Sequence, residues 1–105
     1  MRQSEPSMNL PELDPVIHAA SRLRVMVALA CLPAGDQITF TRLQEQLGLT
    51  SGNLSTHLTK LEEPGYVGIT KTFRRKHPVT YVELTPRGRQ AFVDYRTALH
   101  KLVPP

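Results

Sequence analysis

Short polar side chains cluster between residues 51 and 62, in a segment whose leucines have helical spacing. Leu54, Leu58 and Leu61 fall on one face of the predicted helix. The opposite side carries small hydrogen-bonding residues and one cation: Gly52, Asn53, Thr56, Thr59 and Lys60, with Ser55 at the flank. Asparagine can pair with adenine, and serine or threonine can reach bases or phosphates, so this side suits a major groove. The alternative is an ordinary solvated helix face.

A second cluster is cationic and lies between two strand-like segments. Residues 66–73 and 79–84 are rich in β-branched and aromatic types, which predicts a β-hairpin. Its tip, residues 74–78, carries Arg74, Arg75, Lys76 and His77. With Lys71, Arg87 and Arg89, residues 67–89 hold six bases and one acid, a local charge of +5 against +4 for the chain. Such a tip suits the DNA backbone or the minor groove, or it serves only to keep a β-edge soluble.

The elements around these clusters begin with a long helix. Asp14 and Pro15 form an N-cap and first-turn pair, which predicts a helix over about residues 15–32. One apolar stripe contains Val16, Ala19, Ala20, Leu23, Met26, Val27 and Ala30, and Ile17, Val25 and Leu29 lie outside it. Such a helix must be covered twice, either inside the core or partly by a second subunit. Cys31 follows as a predicted small buried residue.

Two short helices and a final helix complete the pattern. Residues 37–39 fit a very short strand, and residues 40–47 fit a helix that Thr39 caps and Gly48 ends. With the helix at residues 51–62, they resemble a helix-turn-helix unit. Thr85 and Pro86 then open a last helix of about 17 residues. Its apolar stripe contains Ala91, Phe92, Tyr95, Ala98, Leu99 and Leu102.

Length and composition exclude several classes of protein. The 105 residues predict one compact domain at residues 14–105, preceded by a flexible arm at residues 1–13. A single cysteine excludes an intrachain disulfide framework and a multi-thiolate metal site, and no signal sequence precedes the domain, so we expect a cytoplasmic protein. The four histidines lie on different elements without a catalytic motif, so we expect no enzymatic activity and no metal or other cofactor. Of these, His57 points close to the core direction, so we favour a packed or internally hydrogen-bonded residue over the alternative of a base contact.

The order of elements resembles the winged-helix transcriptional regulators of the MarR and ArsR type, over about residues 15–102. Three segments carry the resemblance: IHAASRLRVMVAL, FTRLQEQLGLTSGNLSTHLTKLEEPGYV and YVELTPRGRQAF. It implies a mainly α fold with a small β-hairpin (α+β), in the order α-β-α-α-β-β-α. The helix at residues 51–62 would enter the major groove, the hairpin at residues 67–84 would be the wing, and the terminal helices would form a two-fold dimer.

Carried over residue by residue, the resemblance implies two sets of DNA contacts. The recognition helix would contribute Ser51, Asn53, Ser55, Thr56 and Lys60, and the wing tip Arg74, Arg75 and Lys76. Thr41 and Arg42 would be backbone contacts. The sequence lacks the clustered cysteines of the metal-sensing members, and its final helix is too short to leave much room for an effector pocket. These departures argue against thiolate metal sensing and leave a small-molecule effector unsupported.

We therefore expect a homodimeric regulator, most simply a repressor, that binds double-stranded DNA at an inverted repeat. The alternative is a winged helix that binds protein, because the fold alone does not fix the function. For the dimer we favour a seam between the first and last helices of both subunits. Its expected residues are Val16, Ala20, Leu23, Phe92, Tyr95, Leu99 and Leu102. Packing of the last helix on the first within one chain is the alternative.

Overall fold

The computed structural model describes residues 12–103. Its elements are α1 (Ala20–Ala30), β1 (Gln37–Thr39), α2 (Phe40–Leu47), α3 (Ser51–Glu62), β2 (Val67–Arg74), β3 (His77–Leu84) and α4 (Pro86–Leu102). The predicted order and the α+β winged-helix class are confirmed. Residues 1–11 of the predicted arm and residues 104–105 of the predicted domain lie outside the described residues. Leu13, which we assigned to the arm, packs against the hydrophobic core.

Threonine side chains cap three of the four helices. Thr39, Thr50 and Thr85 each accept a hydrogen bond from the backbone N–H three residues later, at 3.2, 3.1 and 2.9 Å respectively. Each bond satisfies one of the free N–H groups in the first turn. Gly48 ends α2 in the left-handed conformation, with φ at 64°, which allows α3 to begin after only two more residues.

The start of α1 differs from the prediction. The helix begins at Ala20, and its N-cap, Ala19, is extended and offers no side-chain hydrogen bond. Asp14 does not cap this helix, because its carboxylate accepts from the Val16 N–H at 2.9 Å and from the Tyr66 hydroxyl at 2.5 Å. A single turn at residues 15–17 therefore precedes the helix.

The hairpin loop is shorter than the predicted tip of residues 74–78. Only Arg75 and Lys76 separate the strands, and both have positive φ, at 53° and 68°. A two-residue turn of this kind matches the right-handed twist of the strands. His77 and Pro78 consequently belong to β3, where Pro78 lies opposite Phe73. This part of the ribbon extends beyond β1, which pairs with β3 only as far as Tyr81.

The three strands form an antiparallel sheet in the order β1-β3-β2, and each of the four helices packs against it. Buried side chains from every element except the ribbon tip form the core: Ile17, Val25, Met26, Leu29, Ile38, Leu43, Leu47, Leu54, Leu58, Leu61, Val67, Val82, Leu84 and Tyr95. The predicted leucine face of α3 is therefore fully inside the core. This burial turns the polar side of α3 outwards.

Three predictions about α1, α4 and the residue that follows α1 are corrected by the burial of the side chains. Cys31 is exposed rather than buried, because α1 ends at Ala30 and the cysteine lies at its solvent-facing C-terminus. Tyr95, which we expected at a dimer seam, is buried within its own chain, where its hydroxyl lies 2.7 Å from Nδ1 of His18. The core side of α1 is formed by Val25, Met26 and Leu29, and part of the predicted stripe faces solvent, with Val27 43% exposed.

The base of the hairpin is joined to α4 through the backbone of Tyr66. The Tyr66 carbonyl accepts from the Thr85 N–H at 3.0 Å. A Cβ added to Gly88 would lie 2.0 Å from the same carbonyl oxygen. Gly88 is thus the residue that lets the first turn of α4 reach the hairpin.

Replacing Gly88 with alanine is expected to lower the free energy of unfolding by about 2 kcal/mol or more, because backbone atoms must move apart. Gly52→Ala is the matched control. A Cβ at Gly52 meets nothing within 4 Å, so this variant should gain up to about 1 kcal/mol from helix propensity. Urea denaturation measures both. Equal stability of Gly88→Ala and the wild type would contradict the proposed close approach.

The hydrogen bond to Asp14 raises the pKa of the Tyr66 hydroxyl above its ordinary value, and burial and the carboxylate charge act in the same direction. The neutral hydroxyl is the donor, so its stabilising effect is complete below the ordinary tyrosine pKa of about 10 and is lost as the pH rises through the raised value. Tyr66→Phe should lower the free energy of unfolding by about 1 kcal/mol near neutral pH. This difference between the variant and the wild type should shrink in alkali.

Absorbance titration of tyrosinate provides the direct check. The component that Tyr66→Phe removes should titrate above pH 10, the ordinary value. Two results would contradict the Asp14 contact. The component that Tyr66→Phe removes would titrate at or below pH 10, or the difference in stability between wild type and Tyr66→Phe would stay constant into strong alkali.

Candidate nucleic-acid interface

The outward side of α3 presents every residue that the sequence assigned to DNA recognition. Ser51, Gly52, Asn53, Ser55, Thr56, Thr59 and Lys60 are all exposed. They cannot turn inwards, since Leu54, Leu58 and Leu61 of the same helix are buried. The protein therefore holds one hydrogen-bonding surface on a rigid helix, open to a partner.

Two hydroxyls on this surface donate their hydrogen bonds to backbone carbonyls of α3. Thr56 donates to the Gly52 carbonyl and Thr59 to the Ser55 carbonyl, each at 3.0 Å. A hydroxyl has one proton and two lone pairs, so both threonines present acceptors and methyl groups outwards. They suit the amino groups of cytosine or adenine and the methyl group of thymine. Neither hydroxyl can therefore donate to a phosphate, whereas the exposed Lys60 ammonium can.

Nothing among the described residues requires a glycine at position 52. Its φ is not in the left-handed region, and no atom of residues 12–103 beyond its own helical neighbours lies within 4 Å of the position that a Cβ would occupy. Glycine in a helix costs about 1 kcal/mol relative to alanine. The missing side chain leaves the first turn of α3 bare, which permits close approach of a partner to the backbone.

The wing carries its cations in the open. Lys71, Arg74, Arg75, Lys76 and His77 are all exposed. Arg74 lies 3.5 Å from the Tyr81 hydroxyl, on the face of the ribbon away from the helices. Arg75 and Lys76 occupy the two turn positions, so the outermost point of the wing carries two positive charges.

A groove joins the wing to α3. It has a volume of about 590 Å³ and is lined from the α3 side by Ser55, Leu58, Thr59 and Glu62, and from the sheet side by Ile69, Lys71 and Thr80. Phe40 of α2 also lines it. The polar side of α3 and the inner face of the wing are therefore adjacent walls of one concave surface. A smaller groove of about 320 Å³ places Thr41 beside Pro78 and Thr80, and Arg42 is exposed on the same helix.

The structure adds three features that the sequence did not indicate. Phe73 is exposed at the wing, Glu62 lines the groove, and Tyr81 lies beside Arg74. The register of the ribbon decides the positions of Phe73 and Tyr81, and the sequence alone does not specify that register. The position of Glu62 depends on how α3 packs against β2. His57 is half-buried, and its Nδ1 is buried without a hydrogen-bond partner among the described residues. The interpretation of His57 as a packed residue fits, but the internally hydrogen-bonded one does not.

Within the described range, every helix is too short or too polar to span a membrane.

The match to known proteins agrees with this geometry. The family model described as "Winged helix DNA-binding domain" matches residues 21–103, and the chain belongs to that family. The resemblance to winged-helix regulators that the sequence indicated is confirmed. An uncharacterised protein of Methanocaldococcus jannaschii, MJ0432, is 41% identical over 75 residues, which are 71% of this chain and 80% of that protein.

Solved structures of transcription regulators share the fold. A transcriptional regulator homologue from Pyrococcus horikoshii superposes with a TM-score of 0.74 at 29% identity and covers 83% of both chains. The overoxidised form of AbfR bound to DNA superposes with a TM-score of 0.67 at 24% identity, covering 81% of this chain and 60% of AbfR. The latter likeness concerns the fold alone.

Proposed function

We propose that this protein is a sequence-specific double-stranded DNA-binding regulator that acts as a homodimer. The observation that carries the proposal is the common groove of α3 and the wing, because it aims a base-reading helix and a cationic ribbon at one ligand. A duplex supplies both a major groove wide enough for a helix and a neighbouring line of phosphates. AbfR, which has the same fold, is itself bound to DNA in a solved structure.

The two surfaces divide the work. Asn53, Thr56 and Thr59 face outwards with the hydrogen-bonding capacity to distinguish base pairs. Lys71, Arg74, Arg75, Lys76 and His77 supply contacts to phosphates or the minor groove. Thr41 and Arg42, at the first turn of α2, are proposed backbone contacts. Three further residues of α3 are proposed to contact the DNA: Ser51 at the start of the helix, Lys60 near its end and Ser55 at its flank.

The dimer seam is proposed on the parts of α1 and α4 that the core leaves uncovered. Leu99 is 37% exposed and Leu102 is half-buried, and both lie beyond the last core residue of α4, Tyr95. Ala20 and Val27 are exposed on α1, which packs against α4. Val16, Leu23 and Phe92 touch the core of their own chain and would border the seam. Residues 14–105 would act as one DNA-binding and dimerisation unit.

A dimer of this kind would bind an inverted repeat with half-sites about 10 base pairs apart. Its simplest action is repression by occupation of a promoter. No enzymatic step and no cofactor is assigned to it. The surface of α3 disfavours the alternative of a protein-binding winged helix, because its outward residues are polar rather than apolar.

The wing and the helix should respond differently to substitution. Replacing Arg74, Arg75 and Lys76 together with alanine should weaken binding to every duplex and reduce the slope of log affinity against log salt by about 0.9 for each phosphate that is no longer neutralised. Asn53→Ala should mainly weaken discrimination, by about 1–3 kcal/mol at one base pair, with the slope unchanged. Fluorescence anisotropy with a duplex selected by the wild type from a random pool measures both effects.

Arg87→Ala is a matched control, since Arg87 is exposed at the start of α4 and lies outside the groove. It should leave affinity and salt slope near the wild-type values. Absence of any duplex binding by the wild type, or a flat salt response, would contradict the proposed function and favour a protein partner.

Leu99→Glu is expected to weaken the dimer by about 100-fold, because an unpaired carboxylate would be buried at the seam. Thr97→Glu is the control, since position 97 is exposed and lies on nearly the opposite side of α4. Sedimentation equilibrium measures both. A wild-type protein that is monomeric at micromolar concentration would contradict the seam.

A further inference from the structure

Phe73 is the most exposed large apolar side chain that the structure describes, with 73% of its surface open to solvent. It lies one position before Arg74, near the end of β2 and far from the hydrophobic core. Exposure of a whole aromatic ring stabilises nothing within the chain, since the hydrophobic gain comes from burial. Its position on the wing indicates which kind of partner covers it.

The register of the ribbon fixes the side on which Phe73 stands. Side chains alternate along a strand, so Phe73 shares its face with Val67, Ile69 and Lys71. Val67 is buried in the core, and Ile69 and Lys71 line the groove opposite α3. Phe73 therefore continues this inner face outwards, on the side of the wing that the recognition helix occupies. Its cross-strand partner is the exposed Pro78, so the tip of the inner face is apolar.

Cations surround this apolar tip. Lys71 lies two residues before Phe73 on the same face, and Arg75 and Lys76 form the turn just beyond it. Arg74, the next residue in the chain, lies on the opposite face of the ribbon. An apolar ring surrounded by positive charge is complementary to a polyanion that also offers apolar surfaces. Double-stranded DNA has both, since base pairs stack as flat apolar faces inside a line of phosphates. This charge complementarity favours DNA over a protein surface as the occupant.

We infer that Phe73 is an apolar wedge that enters the minor groove beside the site of α3, partly unstacks one base step and bends the duplex. The cations at the turn hold the two backbones while the ring sits between the bases. Steps that unstack easily, such as TA and CA, would be favoured there, so the wing would contribute specificity through deformability. The inference rests on the proposed DNA-binding function and extends it to a second reading element.

The test compares Phe73→Ser with wild type on a duplex that the wild type selects from a random pool, labelled at both ends for energy transfer. The wild type should bend this duplex by an angle within about 20–90°. Phe73→Ser should lose about tenfold in affinity and most of the bend, with an unchanged salt slope because the ring neutralises no phosphate. Replacing the flexible step under the wing with AA should weaken the wild type but not the variant.

Two further variants make the outcome decisive. Thr72→Ala changes an exposed neighbour on the opposite face of the ribbon and should leave affinity and bend unchanged. Phe73→Leu keeps an apolar wedge and should retain most of the bend. Phe73→Ser, Phe73→Leu and Thr72→Ala should all unfold at the temperature of the wild type, since neither Phe73 nor Thr72 is in the core.

If Phe73→Ser binds and bends the duplex like the wild type, the wedge is overturned while DNA binding stands. A wild type that binds but leaves the duplex straight overturns it equally. If the wild type binds no duplex, the proposed function fails and the wedge with it.

Discussion

The burial of one face of the β2–β3 ribbon is the constraint on which the rest of the structure depends. At the base of the ribbon, this face packs in the core through the buried side chains of Val67, Val82 and Leu84. Because side chains alternate strictly along a strand, the same face must continue outwards, and it does so through Lys71 beside α3. A shift of one residue in register would expose the core residues and turn the wing's inner face away from the helix. Stability and the orientation of the wing are thus set by one pairing.

A second set of contacts fixes the angle at which the ribbon leaves the domain. Tyr66 stands at this junction, with its carbonyl against Thr85 and Gly88 of α4 and its hydroxyl on Asp14. The chain before α1, the wing and the last helix are therefore tied together at one residue. Since α4 and α1 also carry the proposed seam, the junction links the position of the wing to the subunit interface. A dimer could in this way hold two wings at a fixed separation.

Local signals in the sequence were sufficient for most of the fold. Thr39, Gly48 and the leucines of α3 act through neighbours within a few residues, and each was predicted in its observed role. The errors arose where distant partners intervene. The local sequence predicts that Asp14 caps a helix, but in the structure one of its carboxylate oxygens accepts a hydrogen bond from Tyr66, 52 residues later. The helical spacing predicts that Tyr95 lies on an uncovered apolar stripe, but in the structure its own chain buries it beside His18.

The candidate site divides in the same way. Exposure of the polar side of α3 follows from helical periodicity alone, so those residues were found. The wing residues were found from charge, but the two-residue turn and the inner face were not. The exposure of Phe73 escapes the sequence because a phenylalanine in a strand predicts burial. Only the length of the ribbon beyond β1 shows that Phe73 lies past the described residues that could cover it.

The central claim is that α3 and the wing form one surface that a single duplex covers. It is tested most directly by following the backbone amide resonances of the ¹⁵N-labelled protein during titration with a duplex selected from a random pool. Amides within residues 51–60 and residues 71–77 should shift together as the duplex is added, while the amides of core residues outside these two segments should change little. Shifts confined to one of the two segments, or centred on α1 and α4, would contradict it.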